Sequence, residues 1–218
     1  MDRRASWVFF VLVSVFVMGI FARFLPPTEE NRLILLSVQQ LLFIVGGIKG
    51  ASPRAMYSRP KRKDWISGIL SGVGLYIINT ILGMVCVWIA MQILDYDLVQ
   101  SLILQERSSA AALLTSNKPL IFFGMVLLLT VGAPLGEELF FRGLLVDLWK
   151  ERYGAKRAVF FAALIFALLH FYVLQFVPVL IAGILLGVLF IRSKNLFVPF
   201  LAHSIVNSLV LVFWLFNL

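Results

Sequence analysis

Uncharged, mainly apolar runs divide the chain at 5–22, 33–48, 66–94, 119–136, 158–191 and 196–218. A helix needs roughly 20 apolar residues to cross a bilayer, so these runs predict membrane-spanning helices. The run 33–48 is short for a span, and its flanks are expected to snorkel. The run 158–191 is too long for one span. It is expected to break near 172–178, because Pro178 lacks a backbone donor and disfavours helix before it. The pattern predicts an all-α, polytopic transmembrane bundle of about seven spans, within a range of six to eight. Residues 1–218 are expected to form a single integral membrane domain. A helical-looking stretch at 98–114 is expected to lie along the membrane interface. Gly68/Gly72 and Gly183/Gly187 stand at the four-residue spacing that suits close helix packing in lipid. Arg3 and Arg4 before the first run resemble the start of a signal peptide. That run is long for such a segment and no clear small-x-small cleavage site precedes Pro26, so a retained helix is expected.

Composition agrees with this pattern. Of 218 residues, 61% are hydrophobic and 14% charged, against about 45–50% and about 25% in soluble domains. Mean hydropathy is +0.97. A soluble globe of this size needs more polar surface than that. Cys86 is the only cysteine, which excludes a disulfide scaffold.

The net charge of +8 raises the question of nucleic acid, and the placement of the charges answers it. With the N-terminus inside, the inner loops and ends hold Arg3, Arg4, Lys49, Arg54, Arg59, Lys61, Arg62, Lys63, Lys150, Arg152, Lys156, Arg157, Arg192 and Lys194. The outer side holds Arg23, Arg32, Arg107 and Lys118. This bias is a topology signal, with a cytoplasmic N-terminus, and no nucleic-acid partner is expected. The cluster 59–63 also suits anionic lipid.

A few ionisable groups remain inside apolar runs, where they are costly and by default mark function. Glu137, Glu138 and Arg142 stand in Gly-Glu-Glu-Leu-Phe-Phe-Arg-Gly, His170 in Phe-Ala-Leu-Leu-His, and His203 with Asn207 in His-Ser-Ile-Val-Asn. These are the only two histidines. Glu138 and Arg142 share a helix face at i and i+4, and a buried structural ion pair is the preferred reading. Glu137 is turned about 100° away and lacks that partner, which suits a general base in a partly dry cavity. Pro134 is expected to kink the helix beside it. His203 and Asn207 project two donors from one face, while Phe166 walls the pocket beside His170. Taken singly, each of these groups also reads as an interhelical hydrogen-bonding group. Asp147, with Lys150 beyond it, reads as interfacial.

The ordered set Glu137-Glu138-x-x-x-Arg142, Phe166-x-x-x-His170 and His203-x-x-x-Asn207 resembles the CPBP family of CAAX-protease and bacteriocin-processing membrane proteins. This is also called the Rce1-like, or type II CAAX prenyl endopeptidase, family. The resemblance covers residues 120–209 and implies an intramembrane endopeptidase. By that resemblance Glu137 activates the hydrolytic water with His170, and His203 and Asn207 stabilise the oxyanion. Glu138, Arg142 and Phe166 then support the site. The substrate would be a membrane-associated peptide or protein, a CAAX-type and prenylated tail among the candidates. Localisation would be the plasma membrane of a prokaryote, with the site opening to the cytoplasm. Family members are often labelled metalloproteases, and Glu137, His170 and His203 would suffice for zinc. The pattern His-Glu-x-x-His is absent, which favours a metal-free mechanism. A non-catalytic adaptor or immunity protein that binds peptide in the same cavity is the alternative from another class.

Overall fold

The computed structural model describes residues 3–51 and 59–216; Arg54, counted above on the inner side, lies outside the described residues. Among the described residues no strand occurs. The helices are α1 (Arg3–Ala22), α2 (Glu29–Gly50), α3 (Arg62–Ile93), α4 (Tyr96–Leu114), α5 (Pro119–Tyr153), α6 (Ala155–Leu168), α7 (Phe176–Ser193) and α8 (Phe197–Leu215). Starts follow local chemistry. The Thr28 hydroxyl accepts from Asn31 N at 3.2 Å ahead of α2, and Asp95 Oδ1 accepts from Asp97 N at 2.9 Å ahead of α4. Pro119 opens α5, where its missing N–H is no loss.

Six helices, α1, α2, α3, α5, α7 and α8, are long and apolar enough to span a membrane. The break expected near 172–178 falls at 169–175, with Pro178 in the first turn of α7. The segment before that break is α6, which has 14 residues and is therefore only about 21 Å long. The stretch expected to be helical at 98–114 forms α4. Large apolar side chains such as Phe16, Leu70 and Trp88 are exposed on the outside of the bundle, the arrangement lipid solvates and water does not.

α5 sits at the centre, against α2 on one side and α6 and α8 on the other. Small residues allow this approach. A Cβ on Gly47 would come within 2.8 Å of the Leu139 backbone, and one on Gly136 within 2.7 Å of Gln40 Oε1. The glycine pairs picked out by spacing also lie at contacts. Gly68 and Gly72 face Leu201, Ala202 and Ile205 of α8, and Gly183 and Gly187 face Ala163 and Val159 of α6.

Asp147 has more protein cover than its position near a helix end suggests. It is buried, accepting from Arg4 Nη2 at 2.7 Å and from Lys150, while Arg4 Nε donates to Gly50 O at 2.9 Å. Arg4 folds back over the C-terminal end of α5 and covers the acid.

Candidate active site

α5 departs from regular helix twice, in π-helical turns at Leu128–Gly132 and Glu138–Val146. In the first, Ala133 N–H reaches back to Leu128 O. The same pattern would pair Leu129 O with the nitrogen of Pro134, which has no hydrogen. That orphaned carbonyl is satisfied by Asn207 Nδ2, which donates to it at 2.9 Å across from α8. The kink expected from Pro134 thus takes the form of a widened turn, and one N–H of Asn207 is committed to it.

Beyond Pro134 the two adjacent glutamates diverge. Glu138 is fully buried and its Oε1 accepts from Arg142 Nη1 at 2.9 Å and from His203 Nδ1 at 2.9 Å. Arg142, 1% exposed, also donates through Nη2 to Gly183 O at 3.0 Å and lies 5.0 Å over the Phe166 ring. The ion pair expected between Glu138 and Arg142 is present, and it extends to α8 and α7. Glu137 turns away from the guanidinium. Its Oε1 accepts from Gln40 Nε2 at 3.3 Å, and its Oε2 lies 3.8 Å from His203 Nε2. A gap of that length between an acid and an imidazole is suited to a bridging water.

Both imidazoles are held through Nδ1. In His203 this nitrogen donates to the Glu138 carboxylate, and in His170 it donates to Phe166 O at 2.7 Å. Because an oxygen acceptor requires the hydrogen on Nδ1, a neutral ring carries its lone pair on Nε2. The Phe166 ring neighbours both, 4.5 Å from that of His170 and 6.2 Å from that of His203. The shortness of α6 brings His170, just past its end, to the same aromatic ring as His203. Among the described residues no hydrogen bond joins His170 to Glu137.

Three residues near the site had no place in the motifs. Gln40 of α2 is one. Tyr172 follows His170, with ring centroids 5.7 Å apart, in a loop where Phe171 adopts φ 55°. Burial, then the charges of Glu106 and Glu137, push the Tyr172 phenol above its ordinary pKa, so it remains a hydroxyl. Glu106 of α4 pins this loop, accepting from Val173 N at 2.6 Å and Leu174 N at 2.7 Å. For Gln40 the sequence held a signal, a polar side chain at the middle of an apolar run. For Glu106 it held none, since an acid in an outer amphipathic helix is ordinary.

No group of three or more His, Cys, Asp or Glu side chains placed to hold a metal ion occurs among the described residues. Glu137, His170 and His203 are not grouped in that way.

Fold and site together define a polytopic α-helical membrane protein with carboxylate and imidazole groups in its interior. Residues 119–209, the segment carrying all three motifs, are similar to the family model described as Type II CAAX prenyl endopeptidase Rce1-like. That family supports a CAAX-type intramembrane endopeptidase, acting in the bilayer on a membrane-associated substrate. No curated protein and no solved structure matches the chain.

Proposed function

We propose that Glu137 is the general base of an intramembrane endopeptidase that cuts membrane-associated peptides or protein tails. The observation that carries this is the position of Glu137 Oε2, 3.8 Å from His203 Nε2 and free of the Arg142 pair that neutralises its neighbour. Water in that gap gives a proton to Glu137 as its oxygen attacks the peptide carbonyl carbon. The carbonyl oxygen becomes an oxyanion. Collapse of the tetrahedral intermediate breaks the C–N bond, and the proton held by Glu137 passes to the leaving nitrogen.

His170 Nε2, with its lone pair, assists by accepting from the water. His203 donates to the oxyanion through Nε2 in its doubly protonated form, its Nδ1 already tied to Glu138. Asn207 contributes the N–H that Leu129 O does not use. Donors of this kind contribute about 10²–10³ in rate where measured. Glu138, Arg142 and Phe166 hold these groups in place. The reading is metal-free, supported by the lack of a His-Glu-x-x-His pattern in the sequence. The substrate class is a CAAX-type or similar tail, prenylated or not, entering from the cytoplasmic face of a prokaryotic plasma membrane.

The test uses full-length protein in lipid with quenched CAAX-type peptides, farnesylated and unmodified. Cleavage that survives strong chelation and is lost in Glu137→Gln is the expected result. A Glu137→Gln protein as active as the parent removes the assignment and leaves peptide binding without catalysis. Cleavage abolished by chelator and restored by zinc overturns the metal-free mechanism alone.

A further inference from the structure

Gln40 lies in α2, nearly a hundred positions before the motifs, yet it is the only hydrogen-bond partner of Glu137 among the described residues. It is 6% exposed, at the point where α2 presses against α5. The contact is built around it. Gly136 presents no side chain there, and a Cβ at that position would stand 2.7 Å from Gln40 Oε1 and 3.0 Å from Gln40 O. Phe43, fully buried one turn along, stacks on Phe140 at 5.1 Å and fixes the rotation of α2 against α5.

A buried amide used only as interhelical glue has both ends paired. Gln40 does not: its Nε2 donates to Glu137, and its Oε1 has no partner. The side chain is placed for one bond. Only the NH₂ end can face a carboxylate, so the amide orientation is settled by chemistry. The bond takes Glu137 Oε1 and so determines which oxygen is left for a proton. Oε2 is the one that faces His203.

We infer that Gln40 is a positioning residue that clamps Glu137 Oε1 and thereby presents Oε2 to the attacking water. This rests on Glu137 being the base. Removing the clamp lets the carboxylate turn away from the reacting atoms without altering the surfaces that bind peptide. Misplacement of a reacting group by about 1 Å is enough for a loss of about 10²-fold. The loss falls on kcat, because the interaction matters only once proton transfer begins.

The experiment compares full-length wild type, Gln40→Met, Glu137→Gln and the double variant in lipid, using the quenched farnesylated CAAX-type peptide and thermal unfolding. Methionine keeps the length and volume of glutamine and offers no N–H. The expected result is a kcat lowered by about 10²-fold with KM and Tm held in Gln40→Met. The double variant is expected to be no slower than Glu137→Gln, since the two act through one group. An unchanged kcat, a change confined to KM, or losses that multiply in the double variant would each overturn the positioning role. If Gln40→Met does not fold, Gln40→Leu removes the N–H without adding a charge or another donor, and the same kcat-only loss is expected. A fully active Glu137→Gln overturns the base assignment itself. An active Gln40→Met beside an inactive Glu137→Gln overturns only the clamp.

Discussion

Two polar clusters occupy the same long helix, and only one leaves a carboxylate open to chemistry. At the C-terminal end of α5, Asp147 accepts from Arg4 and Lys150. Near its middle, Glu138 accepts from Arg142 and His203, while Glu137 has one neutral amide and a gap to an imidazole. All three acids are buried. What separates them is the partner. A carboxylate facing a permanent cation is neutralised and held, whereas one facing a neutral donor and a titratable ring retains a lone pair for a proton. On the proposed function, adjacent positions on one helix divide into a holding acid and a reacting acid.

The comparison is broken most severely at the two neighbouring glutamates. Glu137→Gln removes the base and keeps its shape. Loss of general base catalysis lowers kcat by about 10²–10⁴-fold, with Tm expected to hold within the scatter of repeat scans. Glu138→Gln is expected to do the reverse. It leaves Arg142, buried among Gly183 and Phe166, without its ion-pair partner. Breaking a buried pair from one side costs about 3–5 kcal/mol, and unfolding in mild detergent is the measurement. Equal losses of Tm in both variants would erase the distinction.

Part of this was visible in the sequence, and the reasons differ by residue. Span-length helices were legible because apolar runs in lipid need no partner to be recognised. The Glu138–Arg142 pair was legible because four-residue spacing is a local property. Gln40 was missed because its importance comes from α2 meeting α5 at Gly136, a contact between distant parts of the chain. The burial of Asp147 was not legible for the same reason: its cover, Arg4, is 143 positions away. The widened turn at Leu128–Gly132 was only half legible. Pro134 announced a disturbance, but the carbonyl it orphans and the Asn207 amide that answers it appear only once α8 is packed alongside.

Asp147 gives the intermediate test. Asp147→Asn keeps an acceptor for Arg4 and Lys150 and discards the charge. Hydrogen bonds to charged groups contribute about 1.5–3 kcal/mol each, so a lowered Tm is expected, by less than in Glu138→Gln. Peptide cleavage at a temperature where the protein stays folded is expected to be unchanged, because Asp147 pairs with Arg4 and Lys150 rather than with Glu137. A fall in kcat there would tie the C-terminal-end cluster to the chemistry and blur the contrast.

The smallest effect is expected at a third ionic cluster, on the far end of α5. Lys118 Nζ donates to Glu30 Oε1 at 2.6 Å and lies 3.9 Å from Glu29, with both partners exposed to a third or more. The hydrogen bond that Lys118 donates to Glu30, and then the charge of Glu30, push the Lys118 ammonium above its ordinary pKa. Whatever this pair adds to stability is complete below the unfolded lysine value of about 10.4 and is lost as pH rises through the higher folded value. Water and salt screen it throughout. Lys118→Met is therefore expected to leave both Tm and kcat at neutral pH unchanged, in low salt and high. If its Tm instead fell as far as that of Asp147→Asn, burial would not be what separates the strong clusters of α5 from the weak one. The division between holding and reacting acids would then need another cause.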